Sequence, residues 1–156
     1  MEYQVRLARE ADAELLMQAR VSQLLDEGSV MKYDTRNEMI DFFQRKLRDG
    51  SLIQYIAERE GVLISTAAMM IQEYPPSISW RGERRGYITN VYTDPRYRGQ
   101  GIASSMLCRL LQDARTLELG NVWLLASKQG KGVYKKLGFD EERPGLDVYM
   151  EWFEEA

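Results

Sequence analysis

Histidine is absent from this sequence of 156 residues, and cysteine occurs once, at Cys108. Without histidine, the commonest general base, Ser-His-Asp chemistry and most zinc sites are excluded. A single cysteine cannot form an intramolecular disulfide, and the lack of a disulfide framework is typical of a reducing, cytoplasmic setting. We therefore expect no metal site, and acid–base chemistry that depends on carboxylates, tyrosine, lysine, the thiol, a chain terminus or water.

Long apolar runs and an excess of basic charge are also absent. No apolar stretch in the sequence approaches the roughly 18 residues of a membrane span, and the first residues lack the apolar core of a signal peptide. The net charge is −3, from 21 basic and 24 acidic side chains, which disfavours nucleic-acid binding. These features predict a cytoplasmic protein that binds neither membrane nor nucleic acid. The length suits one domain over residues 1–156.

Hydrophobic periodicity predicts strands and helices in alternation. Strands are expected at residues 3–8, 52–58, 62–74, 87–93, 122–126, 139–143 and 147–152. Helices are expected at residues 12–26, 35–50, 99–117 and 132–137. Thr35 and Glu38 have the spacing of a capping box, and Glu60-Gly61 suits a tight hairpin. The predicted order, βααβββαβαββ, indicates a single α/β (α+β) domain with one sheet of mixed strand direction.

A glycine-rich turn between a predicted strand and a long amphipathic helix carries the most specific chemical signal. It reads Arg98-Gly99-Gln100-Gly101-Ile102-Ala103. Glycines let the backbone approach a ligand closely, and the free N–H groups of a helix N-terminus favour phosphate. A P-loop requires a Gly-Lys-Ser/Thr ending, so a nucleotide kinase is disfavoured. A dinucleotide loop requires a third glycine where Ser104 stands.

The same residues resemble the pyrophosphate motif of the GCN5-related N-acetyltransferases, Gln/Arg-x-x-Gly-x-Gly/Ala. Arg96 begins a second formal match, but the helix register favours the frame that begins at Arg98. The resemblance implies a mostly antiparallel sheet of six to seven strands flanked by about four helices. It also implies a bulge in the strand that precedes the loop, with backbone groups turned toward the pantetheine arm of acetyl-CoA. The residues assigned to the cofactor in this way are Val91, Tyr92, Thr93, Arg98, Gly99, Gln100, Gly101, Ile102, Ala103, Ser104 and Ser127.

A second block, Tyr134-x-x-x-Gly138-Phe139, is similar to the short helix that follows the family's fifth strand. In that family the tyrosine hydroxyl lies near the CoA sulfur. A phenol there can donate a proton to the departing thiolate, so Tyr134 is the candidate general acid. Many members carry an asparagine after the fifth strand. This sequence has none there, so its cofactor contact would pass to Ser127 or Gln129.

The general base is less specified by the sequence. Glu73, at the end of a predicted strand, is the candidate carboxylate, and Asp94 is a second. Either could take a proton from the amine through water. Asn90 or a backbone carbonyl could orient that water instead.

Two further features have competing interpretations. Cys108 falls inside the predicted long helix, where a small apolar role is favoured over an acyl-carrying nucleophile. The basic loop residues Arg81, Arg84 and Arg85 are typical of a solvated loop, and the alternative is a site for an acidic acceptor.

The sequence thus predicts an acyl-CoA-dependent N-acyltransferase that moves acetyl from acetyl-CoA to a primary amine by direct transfer. The acceptor is expected to be a small molecule or a peptide, and its identity does not follow from these residues. The alternative is a non-catalytic CoA-binding module with a regulatory or interaction role. A homodimer through the C-terminal strands is compatible with both.

Overall fold

The computed structural model describes residues 2–141 and 150–152. The strands are β1 Gln4–Leu7, β2 Leu52–Arg59, β3 Val62–Glu73, β4 Arg84–Thr93 and β5 Val122–Trp123. The α-helices are α1 Ala13–Asp26, α2 Arg36–Asp49, α3 Ile102–Thr116 and α4 Lys131–Lys136. Two compact units make up the chain: Met1–Leu125, which holds the five strands and α1 to α3, and Ala126–Ala156, which holds α4.

The five strands form one sheet in the order β1-β2-β3-β4-β5. The first four are antiparallel to their neighbours and β5 is parallel to β4, so the predicted mixed, mostly antiparallel sheet is confirmed. Most of the predicted last strand pair falls on residues 142–149, outside the described residues. Residues 139–141 and 150–152 carry no strand.

Helices cover the two faces of the sheet. Leu16 of α1 and Phe43 of α2 pack with Leu52, Ile56 and Ala68, and each of these five is at most 3% exposed. Successive side chains of a strand point to opposite faces, so Tyr55 lies on the other face. There its hydroxyl donates to Asp113 of α3 over 2.7 Å. The buried side of α3 consists of Ile102, Met106, Leu107, Leu110 and Ala114.

Local turn chemistry agrees with the sequence at two places and differs at one. Glu60 and Gly61 both have positive φ, 51° and 77°, which matches the tight hairpin. Helix α2 ends at Gly50 with φ 80°. The predicted capping box at Thr35 is wrong, because the Thr35 side chain makes no capping hydrogen bond. Asp34 is the acceptor instead, and the N–H of Arg36 donates to it over 3.3 Å.

Strand β4 begins at Arg84, three residues before the predicted start, and β5 ends at Trp123 rather than at residue 126. The early start follows from β3, whose Glu73 pairs with Arg84 and whose Gln72 pairs with Arg85. The polar sequence of residues 84–86 predicts a loop, but the neighbouring strand supplies its hydrogen-bond partners. This pairing moves two of the three loop arginines into the sheet.

Arg6 of β1 joins three segments through carboxylates. Its guanidinium donates to Asp12 over 2.8 and 2.9 Å and to Glu58 over 2.8 and 3.1 Å. Asp12 also accepts the N–H of Arg9 over 2.7 Å. The hydrogen bonds from Arg6 are the main cause that holds the pKa of Asp12 below its ordinary value.

Asp12→Asn is expected to lower the free energy of unfolding at pH 7 by about 1–2 kcal/mol. A lowered carboxyl pKa contributes stability above the unfolded value, and that contribution is lost as the pH falls through the folded value. The difference between variant and wild type should therefore shrink below about pH 4. Urea unfolding across this pH range measures it. A difference that stays constant with pH would contradict the assignment.

Candidate functional site

Strand β4 contains a bulge where the backbone turns away from β3. Thr89 pairs with Ala68 and Tyr92 pairs with Thr66, so Ala67 alone lies opposite both Asn90 and Val91. Asn90 has φ 52°, in the left-handed region that asparagine tolerates better than most residues. An extra residue in a strand leaves backbone groups outside the ladder. The bulge implied by the family resemblance is present.

On its other edge, β4 separates from β5 soon after the two strands meet. Only Gly86 with Val122 and Tyr87 with Trp123 are paired, while β4 runs on to Thr93. Within the described part of the chain, the backbone beyond Tyr87 therefore has no strand partner on this edge. A free strand edge presents N–H and C=O groups to an extended ligand. This opening ends at the glycine loop.

The glycine loop leads directly into α3. Gly99 and Gly101 have φ of 75° and 77°, which side chains rarely adopt. Gly101 is the N-cap of α3, and the first helical bond runs from the N–H of Ser105 to its carbonyl over 3.1 Å. The N–H groups of residues 102–104 precede that bond and have no acceptor within the helix. Ile102 anchors this turn in the core at 1% exposure.

The loop fits an anionic group such as a pyrophosphate. A Cβ built on Gly99 or Gly101 meets no atom within 4 Å, so both glycines border open space. The helix dipole adds about half a positive charge at the same turn. Bare backbone and unpaired N–H groups beside open space are what phosphate recognition requires.

Arg98 holds the loop in place. Its Nε donates to the Thr93 carbonyl over 2.9 Å, and its Nη2 donates to Asp26 at the end of α1 over 2.7 Å. Arg98 was predicted to contact the cofactor, whereas these bonds join the loop to β4 and α1. Its positive charge stays beside the loop. Partners this far apart in the sequence could not be predicted from the motif.

Tyr92 and Thr93, two more residues predicted to contact the cofactor, already have hydrogen-bond partners. The carbonyl of Tyr92 accepts from Ser65 Oγ over 2.9 Å, and the hydroxyls of Ser65 and Thr93 lie 2.8 Å apart. A carbonyl has two lone pairs, so Thr93 can accept a second bond besides that from Arg98. Val91, at the bulge, is also a predicted pantetheine contact, and it is not paired with a residue of β3.

The candidate bases lie in different places. Glu73 is exposed and pairs with Arg84, at the end of β3 opposite to Ser65. It is six residues along β3 from Ala67, which corresponds to about 20 Å. The structure therefore does not bring Glu73 to the bulge. Asp94 caps the turn after β4, and its hydrogen bonds from Arg96 hold its pKa below the ordinary value.

Tyr134 belongs to the second compact unit. It is half-buried, and its ring meets the edge of Phe139 with centroids 5.9 Å apart. The N–H of Phe139 donates to the Tyr134 carbonyl over 3.0 Å, after Gly138 turns the chain at φ 96°. Local packing thus explains the spacing of the Tyr-x-x-x-Gly-Phe block. Ser127 Oγ accepts the N–H of Gly130 over 3.1 Å, so this hydroxyl helps to begin α4.

An aromatic and cationic cluster beside the β4–β5 opening is not predicted by the sequence. The Arg85 guanidinium lies 5.1 to 5.3 Å from three ring centroids, those of Tyr74, Trp80 and Trp123. Trp123 stacks on Tyr87 with centroids 4.4 Å apart. The residues come from four separate segments, so no local spacing reveals them.

Within the described residues, neither a metal site nor a membrane crossing is found. Residues 2–141 and 150–152 contain no group of three acidic or cysteine side chains placed to hold a metal ion. No helix of these residues combines the length and the apolar character that a crossing requires.

The sequence and the fold match proteins of one family. The family model of the Acetyltransferase (GNAT) family matches residues 16–139. The crystal structure of a predicted acetyltransferase with acetyl-CoA from Clostridium acetobutylicum superposes with a TM-score of 0.88 at 38% identity. The similarity covers 95% of this chain and 96% of that one.

Two similar proteins with named acceptors match over shorter stretches. The glucosamine 6-phosphate N-acetyltransferase of Trypanosoma brucei brucei is 33% identical over 90 residues, 56% of this chain and 59% of that protein. The histone acetyltransferase TAP1 of Glycine max is 32% identical over 66 residues, 42% of this chain and 28% of that protein. The two proteins are named for different acceptors: a small sugar phosphate in the first and a protein, histone, in the second.

Proposed function

The chain belongs to the acetyltransferase (GNAT) family, and from this we propose that it is an N-acetyltransferase that moves acetyl from acetyl-CoA to a primary amine by direct transfer. The observation that carries the proposal is the opening between β4 and β5, which ends at the glycine-lined N-terminus of α3. Both compact units are proposed to form one catalytic domain, because the family match at residues 16–139 runs across their boundary.

The chain's own backbone would hold the cofactor. The N–H groups of residues 102–104 and the open surface of Gly99 and Gly101 suit the pyrophosphate. The β4 backbone at Val91 suits the amides of the pantetheine arm. Acetyl-CoA supplies an acetyl group activated as a thioester.

Three groups of this chain are proposed to assist the transfer. A backbone N–H at Val91, which the bulge leaves unpaired, or at the adjacent Tyr92 donates to the carbonyl oxygen on which negative charge develops. The Tyr134 hydroxyl donates a proton to the departing sulfur. The position of Glu73 does not support its role as base. The proton of the amine is proposed to leave through water held by Asn90, which is 7% exposed and lies at the bulge.

A thermal-shift titration with acetyl-CoA, followed by a thiol-release assay on a panel of amines, tests this function. Ligand at about 100 times its Kd stabilises a fold by about 2.7 kcal/mol, which raises Tm by several degrees. We expect this stabilisation, and release of thiol that depends on the amine. Stabilisation without release on any amine would favour a non-catalytic CoA-binding module. Neither response would refute both functions.

A further inference from the structure

A half-buried arginine of α1 lies on the face of the sheet where β4 and β5 separate. Arg20 is one helical turn from Leu16, which is 1% exposed, so both side chains belong to the buried side of α1. Tyr87 pairs with Met70, which packs against the α1–α2 core, so Tyr87 is on this same face. Helix α1 packs against β4, and the Tyr87 hydroxyl acts electrostatically to raise the pKa of Arg20.

Arg20 has no carboxylate partner among the described residues. Its one hydrogen bond runs from Nη1 to Gln23 Oε1 over 3.3 Å, and Gln23 in turn donates to Glu27 over 3.1 Å. Glu27 is close enough to interact with the charge of Arg20 but forms no ion pair with it. Burial lowers the pKa of Arg20, although Glu27 and Tyr87 act electrostatically to raise it. A guanidinium nevertheless stays charged in proteins, so the cation is desolvated without full compensation.

A second donor on this face also lacks an acceptor. Trp123 is paired and stacked with Tyr87, and its buried Nε1 has no hydrogen-bond partner among the described residues. An indole N–H can only donate, and a buried donor without an acceptor costs about 1–3 kcal/mol. Within the described residues, Trp123 therefore lacks an acceptor, and Arg20 has donors beyond its single bond to Gln23; both residues interact with Tyr87, Trp123 by stacking and Arg20 electrostatically.

Two neighbouring arginines, Arg84 and Arg85, already donate hydrogen bonds to other parts of the protein. Arg85 donates to Asn121 Oδ1 over 2.7 Å and is surrounded by aromatic rings, and Arg84 donates to the Leu117 carbonyl over 2.8 Å. Of Arg20, Arg84 and Arg85, Arg20 is therefore the one whose donors can turn to a ligand. A planar guanidinium binds carboxylate and phosphate through paired hydrogen bonds.

We propose that the acceptor of this enzyme is an amine that carries an anionic group, a carboxylate or a phosphate, and that Arg20 binds this group with the indole N–H of Trp123 as second donor. The inference rests on the proposed function for the identity of the reaction. It adds the chemical class of the acceptor and the residues that select it. The chain as a whole is acidic, with net charge −3, so its overall charge would not attract an anionic acceptor. The preference for an anion would come from the local charge of Arg20.

Matched pairs of amines test the proposal. One arm compares glucosamine 6-phosphate with glucosamine, and the other compares alanine with alaninamide, so that phosphate and carboxylate are distinguished. With the wild type, at least one anionic member should exceed its neutral counterpart in kcat/KM by about 10-fold or more, as expected for a charge-assisted bidentate contact. Equal rates within both pairs would overturn the anionic preference.

Variants then assign the preference to Arg20. Arg20→Gln should raise the KM of the anionic acceptor about 10- to 100-fold, with the KM of acetyl-CoA and the rate on the neutral amine unchanged. Arg20→Lys should restore part of the loss, and Trp123→Phe, which keeps the ring, should raise the same KM by a smaller factor. The control is Arg45→Gln, at an exposed arginine of α2 that pairs with Asp41. An equal effect of Arg20→Gln on anionic and neutral acceptors would refute the assignment.

Binding measurements separate this inference from the proposed function. Calorimetric titration of glucosamine 6-phosphate and of alanine into the CoA-saturated protein does not require turnover. Loss of anion binding in Arg20→Gln, together with no thiol release on any amine, would refute the transferase and retain the anion site. No difference in binding between Arg20→Gln and Arg45→Gln would overturn the anion site whether or not the protein is a transferase.

Discussion

Tyr134→Phe is expected to lower kcat by about 10²- to 10⁴-fold, the range that a positioned general acid contributes. The substitution removes one hydroxyl and keeps the ring, so the edge-to-face contact with Phe139 is retained. The affinity for acetyl-CoA should stay the same, because the groups proposed to hold the cofactor belong to β4 and α3. A large change in kcat with little change in cofactor binding is the signature of a group that acts only in the transition state.

Thiol-release kinetics and a thermal titration with acetyl-CoA measure the two quantities for Tyr134→Phe. Tyr3→Phe, before β1, is a control that removes a hydroxyl far from the opening in the sequence. An unchanged kcat in Tyr134→Phe would refute the proton-donor role. A fall in cofactor affinity as large as the fall in kcat would indicate a binding role instead.

Gly101→Ala is expected to raise the Kd of acetyl-CoA about 10- to 100-fold by two effects. Its φ of 77° is strained for any side chain, at a cost of about 1–2 kcal/mol. The added methyl group would also project into the open space beside the N–H groups that the phosphates are proposed to use. Phosphate would then lose its close approach to the backbone.

Gly50→Ala provides a matched control for Gly101→Ala. Gly50 has φ 80°, lies at the end of α2, and borders open space in the same way. Both variants should lose similar stability in urea unfolding, whereas only Gly101→Ala should lose cofactor affinity. Equal affinities in the two variants would refute the assignment of the loop as the pyrophosphate site.

Features that depend on neighbouring residues were predictable. The left-handed glycines, the start of α3 and the Glu60-Gly61 hairpin all follow from a few consecutive residues, whose conformational preferences act locally. Thr35 shows the limit of such reasoning: it stands at the N-cap, yet Asp34, one residue earlier, is the acceptor. Competing local acceptors differ by too little energy for spacing alone to choose between them.

Roles that depend on strand register were not predictable. The sequence alone indicates Glu73 as a candidate base, because it is a carboxylate at the end of a predicted strand. The antiparallel register places it beside Arg84, about 20 Å from the residue opposite the bulge. The same register extended β4 to Arg84 and placed Arg85 among three aromatic rings.

The sequence by itself determined the family and the order of the elements from β1 to α4, and it indicated the glycine turn that is proposed to bind an anion, because these reside in short contiguous motifs. The tertiary structure decided the partners of each charge. Arg98 binds Asp26, which is 72 residues away in the chain, and Arg20 of α1 interacts electrostatically with Tyr87, which stacks on Trp123. Such partnerships are set by packing and register between distant segments, and no local preference encodes them. The tertiary structure thus supplies the argument for an anionic acceptor.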